Sequence, residues 1–66
     1  MRVEVNGDAR DLPEGTTVQA LLVILGATGG PVAVECNKQI IPRAAHGSTE
    51  LRPGDILEIV RFVGGG

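Results

Sequence analysis

The sequence predicts an α+β fold in which one helix packs across a single mixed β-sheet of four to five strands. Short strand-like segments flank one helical segment, which gives the order β-β-α-β-β along the chain. A chain of 66 residues forms one domain, and a domain of this size buries only about 60% of the surface that its unfolded chain exposes. The hydrophobic content of 42% and the single cysteine, Cys36, indicate that a packed apolar core stabilises the domain without a disulfide bond.

The N-terminal segment is predicted to form a β-hairpin. Val3 and Val5 alternate with polar residues, and Asn6-Gly7 follows them directly. The Asn-Gly pair favours a two-residue hairpin turn because both of its residues tolerate positive φ. We expect the return strand at about residues 9–12, and Pro13-Glu14-Gly15 ends it as a turn.

A helix is predicted from about residue 17, with Thr16 as its N-cap and Gln19 completing a capping box. Four apolar residues in this segment fall at i, i+3, i+4 and i+7 and so form one stripe that faces the core. They are Val18, Leu21, Leu22 and Leu25. Gly26 follows the stripe and is expected to adopt the left-handed conformation that ends many helices.

Two strands and a loop are predicted after a second breaker-rich segment. Val32–Cys36 alternates in the manner of a strand, and Ile40-Ile41 forms a short strand. Pro42 stops that strand and indicates a sheet edge, because proline cannot donate to a strand ladder. The polar residues 43–49 are predicted to be a loop, and a further short strand near residues 48–51 stays open.

The last strand is predicted at residues 56–63, after a tight turn at Pro53-Gly54. It carries apolar side chains on both faces, which indicates a central strand or an outer face that meets a partner. Val60 and Phe62 lie on one of these faces and are our candidate docking face. The first and last strands would pair in parallel at the centre of the sheet, the arrangement called a β-grasp or ubiquitin-like fold.

The composition argues against several functional classes. The net charge is −2 and the basic residues are scattered singly, so the sequence lacks the basic surface of a nucleic-acid-binding or membrane-binding protein. The longest apolar run, Ala20–Leu25, is far shorter than the roughly 20 residues that span a bilayer. The N-terminal residues lack the apolar core of a secretion signal, so we expect a cytoplasmic protein.

No residue pattern predicts catalysis by the domain itself. Cys36 ends an apolar strand face without a basic neighbour that would activate its thiol, so it is expected to pack as a small hydrophobic residue. His46 stands alone in a loop without a second ligand at metal-binding spacing, which predicts a solvated or turn-packing histidine and no metal site. The chain is therefore predicted not to be an enzyme.

The glycines at positions 64–66 are the candidate functional residues. We divide the chain into a β-grasp domain at residues 1–63 and a flexible glycine tail at residues 64–66. Three extended residues reach about 10 Å, and Gly64 and Gly65 have no side chain to obstruct a narrow channel into a partner's active site. The carboxylate of Gly66, with a reference pKa of roughly 3.3–3.7, is an anion at neutral pH and must be activated before it can act as an acyl donor. An ordinary frayed terminus is the alternative interpretation of these glycines.

Over its whole length the chain resembles the ThiS family of ubiquitin-like sulfur carriers. The resemblance depends on three stretches: Asn37-Lys38-Gln39-Ile40-Ile41-Pro42-Arg43, Pro53-Gly54-Asp55 and Gly65-Gly66. The third glycine, Gly64, departs from the minimal two-glycine ending of the family but leaves the terminal residue unchanged.

The resemblance implies a protein co-substrate of thiamine thiazole formation. A ThiF-like adenylyltransferase would use ATP to convert the Gly66 carboxylate into an acyl-adenylate, and sulfur would then replace the adenylate to give a thiocarboxylate. A ThiG-like thiazole synthase would accept this sulfur, and a cysteine desulfurase would be its indirect source. The resemblance implies no bound cofactor, since the activating partner consumes the ATP, and we expect a monomer when the chain is free.

Three other functions stay open. A sulfur carrier similar to the small subunit of molybdopterin synthase would have the same fold and ending but would serve a pterin precursor. A protein-conjugating modifier would carry Gly66 in isopeptide linkage to lysines. A β-grasp interaction module of the TGS type would not need its tail, and the absence of a basic face weighs against it.

Overall fold

The computed structural model describes residues 1–62 and consists of one five-stranded sheet with a helix packed across one face. The α+β, β-grasp fold predicted from the sequence is confirmed. Its elements are β1 (Arg2–Val5), β2 (Asp8–Asp11), α1 (Val18–Ile24), β3 (Val32–Cys36), β4 (Gln39–Ile41), a 3₁₀ turn (Arg43–Ala45) and β5 (Ile56–Arg61). The observed order β-β-α-β-β-β has one strand more than the predicted β-β-α-β-β, because β4 pairs with β3 as a strand of its own. Five strands is the upper number that we predicted. The predicted domain end at residue 63 and the tail 64–66 lie outside the described residues.

The sheet has the strand order β2-β1-β5-β3-β4. β1 and β5 pair in parallel, and the other neighbouring strands pair antiparallel. The predicted parallel pairing of the first and last strands at the centre is therefore confirmed. β4, which precedes Pro42, lies at one edge of the sheet as the proline indicates.

Both hairpins turn through two residues with positive φ. In the first, Asn6 and Gly7 have φ values of 50° and 87°, as the Asn-Gly pair predicts. In the second, between β3 and β4, Asn37 and Lys38 have φ values of 52° and 68° without any glycine. Asparagine adopts this conformation more readily than most residues, and it begins both turns.

The N-terminus of α1 lies one residue later than the sequence predicts. Thr17 is the N-cap, and its Oγ1 accepts a hydrogen bond from the backbone N–H of Ala20 at 3.1 Å. The prediction of Thr16 as N-cap with Gln19 in a capping box is therefore wrong. The physical reason is that the Thr16 hydroxyl donates to the carbonyl oxygen of Pro13 at 2.7 Å, which holds Thr16 in the preceding turn.

The C-terminus of α1 is a Schellman motif, as the position of Gly26 predicts. The N–H of Gly26 donates to the carbonyl of Val23 at 3.0 Å, and the N–H of Ala27 donates to the carbonyl of Leu22 at 2.8 Å. Gly26 has a φ of 68°, which glycine adopts without strain. The buried Ala27 side chain completes this end of the helix.

The strand that stayed open near residues 48–51 does not form. Glu50 makes a single antiparallel bridge with Thr17, and the neighbouring N–H of Leu51 donates to the carbonyl of Thr16 at 2.9 Å. This segment therefore closes over the start of α1 instead of joining the sheet.

One core lies between α1 and the inner face of the sheet, the face that α1 covers. Three of the four residues in the predicted helix stripe are buried, and Leu25 is half-buried at its end. The buried apolar residues are Val3, Val5, Leu12, Val18, Leu21, Leu22, Ala27, Val34, Leu51, Leu57 and Ile59. In the part of the chain from residue 1 to residue 62, no helix combines the length and apolar character that crossing a membrane requires.

The side chain of Asn6 extends the pairing between β1 and β5. Asn6 Nδ2 donates to the carbonyl of Ile59 at 3.1 Å, and Asn6 Oδ1 accepts from the N–H of Ile59 at 2.8 Å. The backbone N–H of Asn6 also donates to the carbonyl of Leu57 at 2.9 Å. The chain leaves β1 for the hairpin turn at Asn6. The side-chain amide of Asn6 therefore makes the two hydrogen bonds to Ile59 that the backbone of a further β1 residue would make.

Replacement of Asn6 by glycine tests this role. Glycine keeps the positive φ but removes both side-chain hydrogen bonds, so we expect Asn6→Gly to lower the free energy of unfolding by about 1–3 kcal/mol. Urea denaturation followed by circular dichroism measures the change. Equal stability of Asn6→Gly and the wild type would contradict a role of the amide in holding β5.

Candidate functional site

β5 is the element that leads to the C-terminal glycines. It is hydrogen-bonded to β1 on one side and to β3 on the other. Its inward side chains Leu57 and Ile59 belong to the core. The pairing continues to Phe62, whose N–H donates to the carbonyl of Pro31 at 3.0 Å. The predicted site residues Gly64, Gly65 and Gly66 follow and lie outside the described residues.

The start of β5 is held by residues from two of the stretches that carry the family resemblance, residues 37–43 and 53–55. Asn37 Oδ1 accepts from the N–H of Ile56 at 3.0 Å, and Asn37 Nδ2 donates to Asp55 Oδ1 at 3.0 Å. Asp55 Oδ2 accepts from the N–H of Arg52 at 2.8 Å and so closes the turn that contains Gly54. The fold therefore joins Asn37 to Asp55, which lie 18 residues apart in the sequence.

The outer face of the sheet, defined here as the face opposite α1, exposes several apolar side chains. The predicted docking residues Val60 and Phe62 are 53% and 56% exposed. Their accessibility agrees with the prediction, and their docking role stays a prediction. Ile40 and Ile56 are also exposed, at 76% and 49%. Sequence reasoning missed these two, although their alternation with inward-facing neighbours is a signal that could have identified them.

The same outer face is acidic. Glu4 pairs in register with Ile56, and Glu35 pairs in register with Glu58. Arg2 and Asp11, also register partners, form an ion pair at 3.1 Å near the β2 edge. This guanidinium holds the pKa of the exposed Asp11 carboxyl below its ordinary value through a hydrogen bond and its positive charge.

Cys36 is poorly suited to nucleophilic or sulfur-carrying chemistry. It is half-buried at the end of β3. Burial raises the pKa of the Cys36 thiol, and the carboxylate of Asp55 raises it further by its charge and by a hydrogen bond. The thiolate, which is the reactive form of cysteine, is therefore disfavoured in the folded protein.

His46 packs in a turn, which is one of the two environments that we predicted. The side chain is buried, and its Nε2 lies 3.1 Å from the carbonyl oxygen of Ile41. The carbonyl of His46 accepts the N–H of Gln19 at 2.9 Å, so this residue ties the end of β4 to the start of α1. Among residues 1–62, no three side chains of His, Cys, Asp or Glu are grouped closely enough to hold a metal ion.

Comparisons with known proteins identify relatives over the whole chain. The model of the ThiS family matches residues 3–66. The sulfur carrier protein ThiS of Bacillus subtilis (strain 168) is 38% identical over 65 residues, which cover 97% of this chain and 98% of that protein. A crystal structure of the thiamine biosynthesis protein ThiS from Geobacter metallireducens superposes with a TM-score of 0.83 at 33% identity and covers 100% of both chains.

Two longer proteins contain a similar stretch. The thiazole synthases of Paramagnetospirillum magneticum and Magnetococcus marinus are 42% and 39% identical to this chain over 66 residues. The match includes 100% of this chain and 20% of each thiazole synthase. This chain therefore spans about one fifth of the length of these relatives.

The reactivity of Cys36 provides a test of its described environment. Because folding raises the pKa of this thiol, we expect alkylation by iodoacetamide at a fixed, mildly alkaline pH to be slower in the folded protein than in the urea-unfolded protein. By linkage, the contribution of Cys36 to stability is complete below the thiol pKa of the unfolded chain and is lost as the pH rises through that of the folded protein. Mass spectrometry measures the alkylation rate, and equal rates in the two states would contradict this environment.

Proposed function

This chain belongs to the ThiS family, and from that premise we propose that it is a sulfur carrier protein that serves thiamine biosynthesis. The observation that carries the proposal is the family match, which runs through residue 66 and so includes the glycines at which the chemistry would occur. The near-complete coverage of the Bacillus subtilis carrier supports a function at the level of the whole small domain.

In the proposed reaction the carboxylate of Gly66 is the reacting group and the domain is a co-substrate. A ThiF-like adenylyltransferase binds ATP, and a carboxylate oxygen of Gly66 attacks the α-phosphorus as pyrophosphate leaves. A sulfide-level nucleophile then attacks the activated carbonyl carbon, a C–S bond forms as AMP leaves, and Gly66 becomes a thiocarboxylate. A cysteine desulfurase is the proposed indirect source of this sulfur. Adenylation is needed because an ionised carboxylate has no good leaving group. The cofactor of this step, ATP, is bound and consumed by the partner.

The contribution of the domain to this reaction is to position the Gly66 carboxylate. The sheet holds the chain as far as Phe62, and Gly66 is the fourth residue after Phe62. Because an extended residue spans at most about 3.3–3.6 Å, the reacting carboxylate lies within about 14 Å of the Phe62 backbone. A partner that takes the carboxylate into its active site must therefore cover the surface around Phe62. This requirement supports Val60 and Phe62 as docking residues.

A ThiG-like thiazole synthase is the proposed sulfur acceptor. Two proteins named thiazole synthase contain a stretch similar to the whole of this chain within about a fifth of their length. A sulfur-carrying domain and the enzyme that consumes its sulfur gain from such proximity, because a linked donor is present at a high effective concentration. These relatives favour the thiazole pathway over the pterin pathway as the destination of the sulfur.

The first prediction concerns the terminal residue. We expect deletion of Gly66, or addition of one alanine after it, to abolish adenylation and sulfur loading, because the reacting carboxyl group is displaced from the adenylation site. Intact-mass spectrometry after incubation with ATP, the activating enzyme and a sulfur source measures loading as the mass difference between sulfur and oxygen. Circular dichroism of both variants checks that the fold is unchanged.

The wild-type protein is the control for this experiment. Sulfur loading of the Gly66 deletion variant at the wild-type rate would exclude a mechanism at the Gly66 carboxylate. An unchanged mass of the wild type with its own partners would exclude the sulfur-carrier function itself.

The second prediction concerns the docking face. Phe62→Ala should lower kcat/KM for adenylation about tenfold or more, because an exposed aromatic side chain that becomes buried on binding contributes strongly to affinity. The melting temperature should change little, since Phe62 is 56% exposed in the free domain. Val23→Ala on α1 is a matched control, because Val23 is 61% exposed on the opposite side of the domain. Equal losses of kcat/KM in the two variants would contradict docking through the outer face.

A further inference from the structure

The exposed apolar residues of the outer face surround uncompensated acidic side chains. Glu35 on β3 and Glu58 on β5 are register partners, and directly opposed residues of an antiparallel pair have their Cβ atoms about 4.5–5.5 Å apart. Like charges at such positions destabilise a sheet. The free domain therefore carries an unfavourable charge pair at the centre of an accessible surface.

The described cations on this face leave the pair uncompensated. Arg2 forms its ion pair with Asp11. Lys38 lines the same surface depression as the two glutamates, but within residues 1–62 no ion pair shorter than 4.0 Å joins it to either carboxylate. Glu4, a further acid of this face, lies beside Ile56. The local charge is thus negative among exposed apolar side chains.

The depression lined by the two glutamates has the volume and the chemical groups to accept a long basic side chain. It has a volume of about 370 Å³ and is lined by Glu35, Asn37, Lys38, Ile56 and Glu58. Ile56 offers an apolar contact for the methylene groups of an arginine or lysine, while the carboxylates offer acceptors for its charged end.

The depression lies close to Phe62, the last residue that the structure describes. Glu58 precedes Phe62 by four residues, which corresponds to about 13 Å along a strand. A protein that receives the Gly66 carboxylate must cover the Phe62 region, so an interface of ordinary size also covers the depression. A single partner can therefore contact both the depression and Phe62 on the outer face.

We propose that the outer face docks the adenylating enzyme through an apolar surface of that enzyme and an arginine or lysine inserted between Glu35 and Glu58. This inference rests on the proposed function and adds the chemical character of the partner's surface. The partner's cation relieves the repulsion between the two glutamates, so binding gains from an arrangement that destabilises the free domain. Removal of this charge pair should then have opposite effects on stability and on docking.

Charge reversal tests the proposal. Glu58→Lys and Glu35→Lys are each compared with Glu14→Lys, which makes the same change at an exposed residue of the turn before α1. Isothermal titration calorimetry with the purified ThiF-like enzyme measures the Kd at low and at high salt. We expect each sheet variant to weaken binding about tenfold or more at low salt, and Glu14→Lys to bind like the wild type. The wild-type affinity should fall with added salt more steeply than that of the sheet variants.

The stability of the same variants is the second measurement. Because lysine opposite the remaining glutamate replaces repulsion by attraction, Glu58→Lys should raise the melting temperature by a few degrees. Weaker binding by a more stable domain supports a docking role and excludes loss of binding through unfolding. Lower stability of both sheet variants would overturn the inferred repulsion.

The failure of this inference can be told apart from failure of the proposed function. If the wild type gains sulfur but Glu35→Lys and Glu58→Lys bind the adenylating enzyme with wild-type affinity, the inference is overturned and the function stands. If both variants retain affinity for the adenylating enzyme and lose it only for thiazole synthase, the assignment of the partner is overturned. Absence of sulfur loading in the wild type contradicts the proposed function on which the inference rests.

Discussion

The hydrogen bonding of β5 on both of its edges is the constraint on which the rest of the structure depends. β1 pairs with it in parallel and β3 pairs with it antiparallel. Two asparagine side chains extend this pairing: Asn6 bonds both backbone groups of Ile59, and Asn37 bonds the N–H of Ile56. A strand held in this way gives a defined position to Phe62, the last described residue before the glycines that are proposed to react.

The side chains on the two faces of β5 differ in burial. Its inward residues Leu57 and Ile59 are buried in the core beneath α1. Its outward residues Ile56 and Val60 are about half exposed. A domain of this size has one helix to cover one face of the sheet, so the other face stays available for a partner. Stability and the proposed recognition therefore depend on alternate residues of the same strand.

The chemistry proposed for this domain needs no reactive side chain. Folding disfavours the thiolate of Cys36, and His46 is buried against the carbonyl of Ile41. The sulfur is proposed to be carried at the terminus, where the partner enzyme supplies the activation and the water-excluding site. In this proposal the domain has only to present its carboxylate and to be recognised, and we assign these two properties to β5 and to the outer face.

The sequence by itself determined the features that depend on neighbours within a few residues. The Asn6-Gly7 turn, the stripe of α1, the end of α1 at Gly26 and the bounds of β3 follow from local φ preferences and periodicity. One local feature was misread: the Thr16 hydroxyl donates to the carbonyl of Pro13, three residues earlier, so Thr17 is the N-cap. The tertiary structure decided what depends on residues far apart. The Glu35 and Glu58 pair arises from strand register, and the Asn37 to Asp55 hydrogen bond joins residues 18 positions apart. Register and contacts between distant residues are set only when the chain packs, so no local pattern contains them.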